Sequence, residues 1–184
     1  MFHCKTPNKQ VTGLITNKAM VVSARKEASR VGSNILEKGG NAYDAMVATH
    51  FALAVVYPVA GNIGGGGFLV YRNNDGTKGA LDFREKAPIT AHKDMYLDSL
   101  GNVIKNKSTL GAYAVGIPGS VAGAFEVYEK FGSLPFKDLI QPAIDLAKDG
   151  YRVTRKQAVS LNNAVQKFEK ANNYKTIFEK EWKE

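Results

Sequence analysis

The sequence predicts a mixed α/β (α+β) fold, and three of its features carry that expectation. Short apolar runs alternate with helix-period segments. Asn73-Asn74-Asp75-Gly76 supplies turn chemistry between two of those runs. Four consecutive glycines, Gly64 to Gly67, join an apolar helix-like stretch to the first of them. Strands interleaved with helices, with no internal repeat, make one layered domain the expected architecture.

Each element has its own local reason. Residues 1–17 read as a flexible arm ahead of a domain spanning 18–184. Residues 18–23, with Ala19-Met20-Val21-Val22, read as a short buried strand. Ser23 is placed to cap a helix running to about Lys38, with Ala28, Val31 and Ile35 on one face and Gly39-Gly40 ending it. Asn41 then caps a second helix, and Asp44 sits in its electropositive first turn. Residues 45–56 are apolar nearly all round, which predicts burial on most sides, and Pro58 stops the run. Residues 68–72 and 80–83 read as a hairpin. Residues 85–110 are irregular, with a second turn at residues 98–102. A further strand is expected at residues 113–117. Ser120 caps a helix to Phe131, another helix spans 136–148, and a more polar one spans 154–170.

Composition narrows the function classes. Hydrophobic residues at 44% and charged residues at 23% exclude disorder throughout. No run of about 18 apolar residues occurs, so no membrane-spanning helix is expected. The formal charge of +8 is concentrated in the first thirty residues, where six bases face the single acid Glu27. That segment lacks the stacking aromatics a nucleic-acid surface needs, so no nucleic-acid partner is expected. Cys4, the one cysteine, excludes an internal disulfide, and its polar sequel also fits a lipoprotein acceptor whose signal lies elsewhere. No spacing of histidine, cysteine and carboxylate suggests a metal site.

The glycine tract fails two nucleotide patterns. A P-loop needs Lys and Ser or Thr after its last glycine, and here Phe68 and Leu69 follow. A dinucleotide fingerprint needs a strand before and a helix after, the reverse of this order. Close packing of helix against strand remains, as does a cluster of backbone amides facing a substrate oxyanion.

Four segments in series say more than any one of them: residues 39–45 (GGNAYDA), 60–68 (AGNIGGGGF), 82–88 (DFREKAP) and 116–123 (GIPGSVAG). This series resembles the start of the large subunit of gamma-glutamyltransferases, also called glutathione hydrolases, over roughly residues 18–155. The resemblance implies an N-terminal nucleophile hydrolase fold, an αββα sandwich that is incomplete in this chain. It implies a precursor that cuts itself, freeing a threonine whose α-amine serves as base. It implies transfer of the γ-glutamyl group of glutathione to water or an amino acid, without a cofactor. The small subunit, cut from the C-terminal part of the precursor, is the implied partner, and the setting is periplasmic or extracellular.

On this chain the resemblance assigns one substrate-binding residue, Arg84, to the α-carboxylate of the γ-glutamyl group. A planar guanidinium suits that task, because it grips a carboxylate through two parallel hydrogen bonds and keeps its charge. Read from the residues alone, Arg84 is a strand-end arginine paired with Glu85 or Asp82. The nucleophile is expected outside these residues: Thr49 lies in the apolar helix, and Thr90 and Thr109 lie in irregular segments. His50 adjoins Thr49, but neighbours along a helix do not face each other, so it reads as a packed residue; His92 reads as an exposed loop residue. Two other readings stay open. One is a non-catalytic module binding γ-glutamyl compounds or amino acids; the other is a related acylase acting on β-lactam side chains.

Overall fold

A computed structural model describes residues 13–171 and 181–183; Cys4 and most of the expected arm lie outside the described residues. The core forms around two helices joined by a glycine turn. Helix α1, Lys26–Glu37, buries Ala28, Val31 and Ile35, the face its spacing predicts. Its start differs from expectation: the N-cap is Arg25, with no side-chain cap, and the Ser23 hydroxyl instead bonds the Arg25 carbonyl and Ser29. Gly39 ends the helix at φ +92°, the left-handed region glycine enters without penalty.

Helix α2, Ala42–Val56, is the centre of the molecule and packs against α1 and two later helices. Its apolar circumference is the reason, since a helix without a polar face is stable only when covered. Its N-terminus carries a reciprocal capping box. Asn41 Oδ1 accepts from the Tyr43 and Asp44 amides, and the Asp44 carboxylate accepts from the Asn41 amide. Asp44 is fully buried, and its carboxylate also accepts from the Ser133 amide and hydroxyl. One side chain thereby ties the start of α2 to the loop between helices α3, Ser120–Phe131, and α4, Phe136–Asp149.

Strands β1, Phe68–Arg72, and β2, Lys78–Asp82, pair antiparallel with Phe68 opposite Asp82 and Arg72 opposite Lys78. Gly76, at φ +88°, makes the turn. A two-stranded hairpin is marginal on its own, and this one is held by its inner face. Leu69 and Leu81 pack on the helical core, and Tyr71 joins Tyr43 and Phe131, whose rings stack with centroids 4.3 Å apart. The outer face, with Phe68, Val70 and Ala80, is exposed. Helix α5, Arg155–Ala171, completes the described elements.

Two expected strands do not form. Residues 18–23 form no strand and belong to no sheet among the described residues, and Val22 is exposed, although Val21 packs on the core. Residues 112–114 make a single 3-10 turn, and the following segment contributes only one bridge, Lys86 to Ile117. Local β propensity supplies half of a ladder, and no neighbouring strand supplies the other half.

Candidate functional site

The glycine tract and Arg84 meet at one junction. Phe83 and Gly67 extend the hairpin by exchanging backbone hydrogen bonds at 3.0 and 3.3 Å. A Cβ on Gly66 would stand 2.6–2.8 Å from the Phe83 oxygen, the Glu85 nitrogen and the Arg84 Cα, all backbone atoms with no way to yield. Residues 83–85 thus lie directly against the tract. Gly119 also closes in, where a Cβ would fall 2.0 Å from the same Phe83 oxygen. The Gly65 carbonyl accepts from the Gly119 and Ser120 amides at 2.8 and 3.0 Å, so the tract's backbone caps α3. This corrects the sequence reading of Ser120, whose side chain makes no cap bond and is buried in the first turn.

The tract's own bonding weighs against its use as a substrate anion cradle. The Gly64 amide donates to Asn62 Oδ1 at 2.9 Å and the Gly67 amide to the Phe83 carbonyl at 3.3 Å. Two of the four amides therefore have partners among the described residues. The tract is a close-packing junction, and its product is the placement of Arg84.

Arg84 stands just past the end of β2 with its side chain 59% exposed. Its amide donates to Asp82 Oδ1 at 3.0 Å, its guanidinium carbon lies 5.7 Å from the centre of the Phe68 ring, and its Nε donates to Glu85 Oε2 at 2.9 Å. The Glu85 carboxyl is held below its ordinary value, first by its own backbone amide, with the Arg84 guanidinium and the Gly66 amide adding to the effect. With Nε occupied, Nη1 and Nη2 form the free end of the fork, and no hydrogen bond to them occurs among the described residues. The sequence pairs Arg84 with Glu85 or Asp82; the structure gives the side-chain bond to Glu85, while Asp82 accepts from the Arg84 backbone amide.

The other residues considered from sequence stay apart from this junction. Thr49 is buried, and its hydroxyl has no partner. The adjacent His50 is half-buried, and burial lowers its pKa. Thr90 and His92 are exposed in the loop region, and the Thr109 hydroxyl donates to the Asn106 carbonyl. None of these threonines has a base within hydrogen-bond reach. Among the described residues no group of three or more His, Cys, Asp or Glu is placed to hold a metal ion. No helix of the described residues is long and apolar enough to cross a membrane. Arg84 lines none of four cavities of about 430 to 640 Å³ found among the described residues; it stands on the surface at the hairpin's end.

The family model for gamma-glutamyltranspeptidase matches residues 28–183. The chain belongs to the gamma-glutamyltranspeptidase family. A glutathione hydrolase proenzyme of Pseudomonas sp. (strain A14) is 52% identical over 151 residues, covering 82% of this chain and 26% of that protein. The crystal structure of Helicobacter pylori gamma-glutamyltranspeptidase superposes with a TM-score of 0.82 at 48% identity, covering 86% of this chain and 46% of that one. A cephalosporin acylase from Bacillus halodurans follows at a TM-score of 0.73 and 26% identity, covering 96% of this chain and 32% of that one. The chain spans about a quarter of the length of the curated relatives it matches. The N-terminal nucleophile hydrolase fold is thus present as an incomplete αββα sandwich. A helical layer covers the inner face of the hairpin, and the outer face is bare.

Proposed function

We propose that this chain supplies the γ-glutamyl-binding part of a glutathione hydrolase, with Arg84 taking the α-carboxylate of the donor. The observation that carries the reading is the presentation of Arg84: backbone packed against the glycine tract, Nε tied to Glu85, and no hydrogen bond to the Nη1–Nη2 fork among the described residues. A carboxylate on that fork gains two charge-assisted hydrogen bonds and one fixed orientation. Orientation is the catalytic contribution, because the bond to be broken lies at the far end of the glutamyl side chain.

In this reading the nucleophile is a threonine at the head of a small subunit outside these residues. Its hydroxyl attacks the γ-carbonyl, its α-amine takes the proton, and the cysteinylglycine amine leaves. The γ-glutamyl ester then passes its acyl group to water or to an amino acid. The names of the relatives, glutathione hydrolase proenzymes, support both the donor and the self-cleaved precursor.

The test pairs the chain with a separately supplied C-terminal part of a relative and follows chromophore release from γ-glutamyl nitroanilide. Losing the fork should cost about 3 kcal/mol, roughly a hundredfold in kcat/KM for Arg84→Ala. Arg84→Lys should recover only part of it, since an ammonium cannot bond bidentately. Unchanged efficiency in Arg84→Ala refutes the assignment. Calorimetric binding of glutamate without turnover in the pair points instead to a binding module.

A further inference from the structure

We propose that Phe83 is a positioning residue for donor recognition: its ring, locked by glycines from two elements, sets where Arg84 presents its fork. The inference rests on the functional reading of Arg84 given above.

Three observations carry it. First, Arg84 has no wall of its own. Its side chain is mostly exposed, and its contacts are its sequence neighbour Glu85 and the edge-strand ring of Phe68, so its accuracy has to come from its backbone. Second, that backbone has one buried anchor. From Asp82 to Ala87 only Phe83 is buried, at 9% exposure, with exposed residues on both sides. Third, the anchor is clasped without slack. A Cβ on Gly123, in α3, would stand 2.2 Å from Cγ at the base of the Phe83 ring, and one on Gly67 would stand 2.9 Å from Cε2 nearer its tip. The Gly119 and Gly66 approaches described above close on the Phe83 carbonyl in the same way. A glycine at each of these points lets α3 and the tract touch the ring and backbone directly, so any loss of ring volume frees the chain bearing Arg84.

This assigns Gly123 and Gly67 a task beyond packing economy. They fix a ring, the ring fixes the Arg84 backbone, and Glu85 then fixes the guanidinium. The predicted signature is selective. Displacing the fork weakens recognition of the α-carboxylate, and a donor lacking that group has nothing to lose.

The experiment uses the same paired enzyme and two donors, γ-glutamyl nitroanilide and its decarboxylated counterpart, γ-aminobutyryl nitroanilide. Three variants are compared: Arg84→Ala, Phe83→Leu, and Leu139→Ala as a control for stability. Leu139 is fully buried in α4 and takes no part in the junction. Phe83→Leu should lower kcat/KM for the γ-glutamyl donor about tenfold or more, mostly through KM, and that for the γ-aminobutyryl donor by less than about threefold. Leu139→Ala should lower the thermal midpoint and leave the ratio between donors unchanged. Equal losses on both donors in Phe83→Leu, or the same altered ratio in Leu139→Ala, overturns the positioning role. If Arg84→Ala alters the ratio and Phe83→Leu does not, only this inference fails. If Arg84→Ala leaves the ratio intact, or the unsubstituted pair turns over neither donor, the functional reading fails with it.

Discussion

Removing the buried carboxylate of Asp44 should destabilise the fold more than any other single truncation of a polar side chain in its core. Its oxygens accept from the Asn41 amide at 2.9 Å, the Ser133 amide at 3.0 Å and the Ser133 hydroxyl, with the Leu134 amide at a longer 3.5 Å. In Asp44→Ala all of these donors lose their acceptor in a site closed to water. An orphaned buried donor costs about 1–3 kcal/mol, so the three short bonds alone come to about 3–9 kcal/mol, a large share of a domain's whole stability. Asp44→Asn should cost less, about 2–4 kcal/mol, since one oxygen remains while the new NH2 meets a donor.

The dependence on pH gives a second reading of the same site. Burial by itself raises the Asp44 pKa, but the hydrogen bonds from Ser133, Asn41 and Leu134 outweigh it and hold the group below its ordinary value of 3.8. A depressed carboxyl contributes stability above its unfolded-state pKa and loses it as pH falls through the folded one. The gap between Asp44 and Asp44→Ala should therefore be full at pH 7 and shrink only below about pH 4. Urea denaturation followed by circular dichroism at a series of pH values measures both quantities. A loss under about 1 kcal/mol at neutral pH, or a gap that stays constant to low pH, would refute the reasoning.

Two further outcomes follow from the geometry. Gly66→Ala puts a methyl group against three backbone atoms at 2.6–2.8 Å, so the denaturation midpoint should fall by an amount equivalent to about 1–3 kcal/mol; an unchanged midpoint would show that the tract can move away from residues 83–85. His50 is disfavoured as a cation by burial, so it binds protons less readily folded than unfolded. Stability should decline as pH drops below the ordinary histidine value of 6.5 and stop declining once pH passes the lower folded value. His50→Gln should flatten that part of the profile, and an unaltered slope would assign it to other groups.

Local signals were legible wherever one residue could act alone. Asn41 announced a helix cap and Asp44 a first-turn acid, Gly39 and Gly76 announced turns, and the spacing of Ala28, Val31 and Ile35 announced a buried face; each is realised, with the reciprocal Asp44 bond added by the structure. Such features depend on backbone geometry within a few residues, which sequence reports directly. The strands expected at 18–23 and 113–117 failed because a strand is half of a structure, and its neighbour is set by topology. The Ser120 cap failed for a related reason: a carbonyl from Gly65, more than fifty residues earlier, took the amides that the serine was expected to satisfy.

The site divides along the same line. Sequence by itself determined the family, through four ordered segments, and singled out Arg84 and the glycine tract as its distinctive residues. It could not say what the glycines were for. Sequence context removed the phosphate readings, but oxyanion and packing were both consistent with a run lacking side chains, since glycine specifies only what it permits. The tertiary structure favoured packing by bringing residues 83–85 and the start of α3 against the tract, where two of its amides bond within the chain and its missing Cβ atoms become room for the Phe83 backbone and ring. Steric room is a relation between segments distant in sequence, and it exists only once the chain has folded.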